Sequence, residues 1–374
     1  MMDISKVLPF LGLVAYGAIS LILYLRAKTL AGKIFGSILM GVFFAILAYN
    51  FVPKDDYDLV RHWDKADKFK NVESFDSFVR VVKGNKLELL PQMFSFVIAK
   101  IGDYNLMQSL MALGGYSMLF YILIDYKNKI QMSNVKFMAL LPLAILGQHM
   151  LYYFSGLYNY FAINLFALAV YLEFIKGTKK IPFLLYVITL LIHNSMLLPF
   201  ALLMLFRFMK KKLTMRSIII FIIVSVSITI IIDLLVNVFD IAYFENIKHI
   251  YHDYVKLNDN MMKYYDGFYL FMSITKIGIS LLACWLQRDN EKLRQIRDFV
   301  ILLSIATIIL SFSSIAITRF SSLILFASLP LIIDAMSSKN KNTKFFVLAV
   351  SALSIIYLVY TVRVMMPLIH LGGV

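Results

Sequence analysis

The sequence predicts an all-α, polytopic membrane protein, and three observations carry that prediction. Of its 374 residues, 60% are hydrophobic and only 16% charged, and the mean hydropathy is +0.78. The apolar residues gather into runs near the ~20 needed to cross the hydrocarbon core. The basic residues gather between those runs: 21 of the 37 Lys and Arg fall in six short linkers, the pattern of the positive-inside rule. The strict alternation of an outer-membrane barrel is absent. A formal net charge of +15 would suit a nucleic-acid partner if it were clustered on one soluble surface, but its confinement to membrane linkers argues against one. Cys284 is the single cysteine, so no intrachain disulfide forms.

Full spans are expected near 7–25, 34–52, 105–124, 137–153, 158–175, 217–238, 267–287, 298–312, 320–336 and 345–367, ten in all. The first is too long for a signal-peptide core and lacks a basic leader and cleavage site, so it reads as a retained helix. Residues 181–206 are a further apolar run with basic residues at both ends. A single crossing would place one basic end outside. A broken hairpin turning near His193-Asn194-Ser195 keeps both ends inside, with one long helix kinked at Pro199 as the alternative. With the hairpin, both termini and the segments 53–104 and 239–266 lie on the extracytoplasmic side.

The 53–104 segment is charge-balanced, with nine basic and nine acidic residues. Asp55 to Lys70 reads as an interfacial amphipathic helix, and Leu87 to Ile101 as a second interfacial or re-entrant one. In "PKDDYDLVRHWD", Asp55, Asp56 and Asp58 open the first helix, where acids suit the macrodipole. Asp58, Arg61 and His62, at i, i+3 and i+4, share a face. They make either a local ion pair or a carboxylate general base beside cations that receive a leaving group.

Arg319 opens a late span, where it either snorkels to lipid phosphate or clamps a substrate phosphate with its guanidinium fork. Lys276 sits mid-span, and intramembrane charges are functional hypotheses by default. It binds an anion, stays neutral or pairs with Asp233. His193 packs on an apolar helix or acts at the hairpin apex. Tyr251 and Tyr254 in the second outer segment, and Tyr158 and Asn159 in "HMLYYFSGLYNYF", belong to an aromatic belt or offer platforms to sugar rings. His249 and His252 beside Asp253 have metal-ligand spacing but no partner cluster, and no metal site is assigned. P-loop, GxSxG and HExxH patterns are absent.

Four patches taken together resemble the EpsG family of Wzy-like bacterial exopolysaccharide polymerases. They are Asp58-Leu-Val-Arg61-His62-Trp63 after the second helix, "GLYNYFAINLFALAVYLEF", "LLIHNSMLLPF" and "ITRFSSLILFASLPLI", in that order. Relatives commonly carry arginine where this chain has Tyr158, and Pro53-Lys54 replaces a glycine-bearing sequence before the loop aspartates. The resemblance implies a glycosyltransferase of GT-C-like fold in the bacterial cytoplasmic membrane. It would join undecaprenyl-diphosphate-linked oligosaccharide repeat units at the outer face, with other polysaccharide-assembly proteins as further partners. Asp58, Asp56 or Asp55 would be the base, helped by His62. Arg61, Arg319, Lys276 and His193 would hold the diphosphate, and Asn159, Tyr158, Tyr251 and Tyr254 the sugar. No cofactor is implied, though a divalent metal would suit the diphosphate. A flippase of the same lipid-linked glycan, or another outer-face transferase, is the competing expectation.

Overall fold

The computed structural model describes residues 4–55, 57–82, 89–147, 150–209, 214, 219, 267–309, 314–338 and 341–370. Asp56, Tyr251, Tyr254, Asp233, both loop histidines and, Ile219 apart, the expected span 217–238 lie outside them. The described residues fold into helices, with one isolated antiparallel bridge between Phe51 and Ile369. Among the described residues, six helices are long and apolar enough to cross a membrane, or seven if one bent pair counts as a span.

The chain divides into two compact units, residues 1–197 with 333–374, and 198–332. The first begins with α1 (Ile4–Arg26) and α2 (Leu30–Tyr49), the latter capped by Thr29 Oγ1 on the Gly32 N–H. Three short helices follow, α3 (Asp58–Asp67), α4 (Phe75–Val82) and α5 (Leu89–Ile101). The amphipathic helix therefore begins at Asp58 rather than Asp55, which lies in the preceding turn. Next come α6 (Asn105–Lys129), α7 (Asn134–Leu146), α8 (Met150–Ser155), α9 (Leu157–Phe174) and α10 (Lys180–Ile192). The expected span 137–153 is thus a 13-residue helix and a separate short one, too short individually to cross.

α9 is the centre of this unit: 83% of its span is buried, against 17% for α1. α2 and α6 approach closely because Gly41 has no side chain; a Cβ there would lie 2.8 Å from the Leu113 carbonyl. Ser109 Oγ bonds the Ala45 carbonyl at 3.0 Å, and Phe44 stacks on Tyr116 at 4.1 Å. Small-residue contact and interhelical hydrogen bonds are what hold helices together in lipid, where burial of grease gives little. At the other end of α6, buried Asp125 accepts from Lys33 at 2.8 Å, from Lys176 at 2.6 Å and from the Tyr171 hydroxyl.

α10 ends where the hairpin was expected to break. His193 adopts an extended conformation, Asn194–Met196 form a 3₁₀ turn, and α11 (Leu197–Phe208) begins. The second unit contains most of α11, then α12 (Gly267–Leu286), α13 (Arg294–Ile309) and α14 (Ser314–Ala327). α13 starts before the expected 298 because Asp298 is neutralised by Arg297 at 3.2 Å. The expected span 320–336 is α14 followed by α15 (Leu329–Ser337), bent by 50°. α16 (Lys341–Met365) packs on α7 in the first unit.

Candidate functional site

The site is built where the ends of several helices of the first unit meet. The C-terminus of α2 runs into the bridge, in which Val52 N–H bonds the Leu368 carbonyl at 2.8 Å and His370 N–H bonds the Asn50 carbonyl at 2.9 Å. The Phe51 ring lies parallel to Tyr57, centroids 6.3 Å apart, and Tyr57 hands the chain to Asp58. α3 is seated by fully buried Leu59 and Ala66 and by the Leu59 N–H on Ser155 Oγ at 3.3 Å. A Phe69, Phe78 and Phe96 cluster, with centroids 5.0–6.2 Å apart, ties the following turn to α4 and α5.

On this platform Asp58 and Arg61 form an ion pair that faces outward, their side chains 43% and 68% exposed. Asp55 is also exposed. His62 turns the other way. Its ring meets Tyr158 edge-on at 4.9 Å. Burial, then the charges of Lys65 and Arg61, push its imidazole from 6.5 down to about 4. With its imidazole lowered in this way His62 is uncharged at neutral pH, which leaves Arg61 as the cation beside Asp58.

Tyr158 is a junction rather than an open ring. It is buried, its hydroxyl lies 3.1 Å from Ser95 Oγ, and it donates to the Pro91 carbonyl at 3.3 Å. Asn159, the next residue, is 4% exposed. Its Oδ1 accepts from Ser195 Oγ at 2.8 Å, while its Nδ2 has no hydrogen-bond partner among the described residues. Trp63 Nε1 on α3 is likewise buried and without a partner among the described residues.

His193 accepts the Ser195 backbone N–H on Nδ1 at 3.1 Å, and Ser195 Oγ lies 2.7 Å from the same nitrogen. An accepting Nδ1 carries no proton, so the ring proton is on Nε2. Ser195 has one hydroxyl proton for two acceptors, Nδ1 and Asn159 Oδ1. The wiring differs from a hydrolytic triad, because the histidine caps the turn that holds the serine instead of orienting an exposed nucleophile.

The second unit, taken by itself, joins α12 to α14 by a polar seam. Lys276, 3% exposed, donates to Ser322 Oγ at 3.1 Å. Ser280 and Ser328 hydroxyls lie 2.8 Å apart, and buried Ser273 Oγ has no partner among the described residues. Arg319 is half-buried, one turn before Ser322 on α14, rather than at that helix's start. Among the described residues, no group of three or more His, Cys, Asp and Glu side chains could hold a metal ion.

The family model for the EpsG family matches residues 33–369. This chain belongs to the EpsG family. No curated protein and no solved structure matches it. With its apolar helices, membership makes it a membrane protein related to polysaccharide biosynthesis. Of the four patches that suggested the EpsG family, three meet in the first unit: α3 through His62, the start of α9 through Tyr158 and Asn159, and the break after α10 through His193 and Ser195. The fourth, around Arg319, belongs to the second unit. Sequence reasoning missed Ser195, Ser155 and Trp63 as parts of the site; Ser195 was legible in the His-x-Ser pattern.

Proposed function

We propose that this protein is a glycosyltransferase that polymerises undecaprenyl-diphosphate-linked repeat units at the extracytoplasmic face of the bacterial cytoplasmic membrane, for exopolysaccharide or capsule. The observation that carries the reading is the solvent-facing Asp58–Arg61 pair, held on a helix whose His62 meets Tyr158, the neighbour of the Asn159 that bonds Ser195, in a chain of this family.

The geometry suggests a division of labour. The acceptor sugar hydroxyl attacks the donor's anomeric carbon, its proton passes to the Asp58 carboxylate, and the bond to the lipid diphosphate breaks. Arg61 receives the departing negative charge, the kind of preorganised electrostatic help that dominates many such steps. The Asp58–Arg61 pair is exchangeable because both side chains reach solvent. A diphosphate that takes Arg61 frees the Asp58 carboxylate to accept the hydroxyl proton. Asn159 Nδ2 donates to a sugar oxygen. Arg319 and Lys276 supply further positive charge in the second unit, and the expected GT-C-like architecture belongs to the same reading. The test is purified protein in lipid given a defined undecaprenyl-diphosphate repeat unit, with products separated by gel and mass. The expected result is a ladder of longer lipid-linked chains that disappears in Asp58→Asn at unchanged melting temperature. A full ladder from that variant would remove Asp58 from the chemistry.

A flippase reading rests on a separate observation, the 50° break between α14 and α15, since discontinuous helices line transport sites. Labelled substrate crossing the bilayer of vesicles, with no ladder, would favour it.

A further inference from the structure

The second unit buries a cation to which its described residues offer no carboxylate. Lys276 lies mid-helix in α12, buried, and donates to Ser322 Oγ at 3.1 Å. Among the described residues no acid lies within ion-pair reach of it. An ammonium has three N–H donors, so one hydroxyl leaves two of them unused. A buried charge with neither a counter-charge nor a full set of hydrogen bonds is costly inside a membrane. Beside it is an unused donor. Ser273 is fully buried, and its Oγ has no partner among the described residues.

These two donors share a face. Ser273, Lys276 and Ser280 fall within about 60° of arc on α12, at ~100° per residue. Lys276 meets Ser322 of α14, and Ser280 meets Ser328 just after it, so this face of α12 is the one turned to α14. Both contacts advance along the chain, from 276 to 280 and from 322 to 328, so α12 and α14 run the same way. Ser273 and Arg319 then each lie one turn ahead of the Lys276–Ser322 contact, nearer the ends at which the two helices begin. Arg319 is half-buried and adds positive potential on that approach.

The chemistry selects the ligand. One ammonium balances one negative charge. Residues one turn apart on a helix have Cβ atoms ~5–6 Å apart, a span that a single accepting atom can bridge. The neighbouring hydroxyls are buried, and those of Ser280 and Ser328 are engaged with each other and with the Lys276 and Leu325 carbonyls. A dianion would bring surplus charge and need more donors than these two groups supply. We propose that Lys276 and Ser273 form a binding site for a small inorganic monoanion, chloride in the cell, which neutralises the buried ammonium. The site goes beyond the polymerase reading and does not rest on it. The charge of Lys276 is then open to a substrate phosphate only by displacement of the ion.

The probe is chloride itself. The full chain in nanodiscs is melted across a titration of sodium chloride against sodium gluconate at constant ionic strength, and binding is read directly from broadening of the chloride NMR line. The wild type should melt higher as chloride replaces gluconate and should broaden the line. Ser273→Ala removes only the hydroxyl and should weaken both responses about tenfold in chloride concentration. Lys276→Met should abolish them; if that variant does not fold, Ser273→Ala decides alone. A wild type indifferent to the anion would overturn the proposal, and is what a Lys276 that is uncharged or paired with Asp233 gives. A chloride response of wild-type size in Ser273→Ala and in folded Lys276→Met would place the ion elsewhere and overturn it equally.

Discussion

Acid should loosen the seat of α3 through a single side chain. The His62 imidazole is held near 4 in the folded protein, against about 6.5 in an unfolded chain. Between those values the unfolded chain binds more protons than the folded one, so stability rises with pH across that window and is lost as pH falls through it. Each pH unit is worth about 1.4 kcal/mol, so the loss is roughly 2 kcal/mol at pH 5 and about 3 kcal/mol once pH reaches 4. Above pH 6.5 this group contributes no slope. The physical event is a charge forced between the Tyr158 ring, 4.9 Å away, and the cations Lys65 and Arg61. The assay is thermal melting of purified protein at pH 7.5 and pH 5, wild type against His62→Phe, which keeps the edge-on ring packing and cannot titrate. The variant should lose about 2 kcal/mol less than the wild type on acidification. Identical pH dependence of the two would refute the placement of His62.

Other outcomes follow from the packing. Gly115→Ala puts a Cβ 2.7 Å from Tyr153 Cζ and 2.9 Å from Asn164 Nδ2. It should cost about 1–3 kcal/mol from overpacking and lower the melting temperature, with Tyr153→Phe recovering part of the loss in the double variant. Asp125→Asn strands Lys33 and Lys176 and should cost about 3 kcal/mol, less when combined with Lys176→Met; additive losses would show that the three do not act as a unit. Cys284 is 3% exposed, so a maleimide should label it only after denaturation, as followed by intact mass.

The long helices were legible because hydropathy needs only composition over a window, and the break at His193 was legible because basic residues at both ends of 181–206 argued against one continuous crossing. The split of 137–153 was not, although Pro142 and Gly147 stand inside it, because a window average smooths over backbone breaks. The face of His62 was misjudged through the choice of reference. Taken from Asp58, Arg61 and His62 look alike. Taken from Leu59, the buried anchor, His62 is about 60° away and Arg61 about 160°, at ~100° per residue. The Asp125 cluster escaped because Lys33 and Lys176 were read only as positive-inside markers. An acid near the end of an apolar helix between basic linkers was the available signal.

The bridge between Phe51 and Ile369 joins positions near opposite ends of the family-matched region. During synthesis at ~5–20 residues per second, the second partner emerges on the order of 15–60 s after the first. Until it does, the Val52 N–H and the Asn50 carbonyl wait without their backbone partners. The foot of the Asp58 helix is therefore among the last parts of the protein to be fixed. A stalled or C-terminally truncated product can insert its early helices and still lack the clamp that sets the acid in place. The fold thereby ties its candidate chemistry to the completeness of the chain.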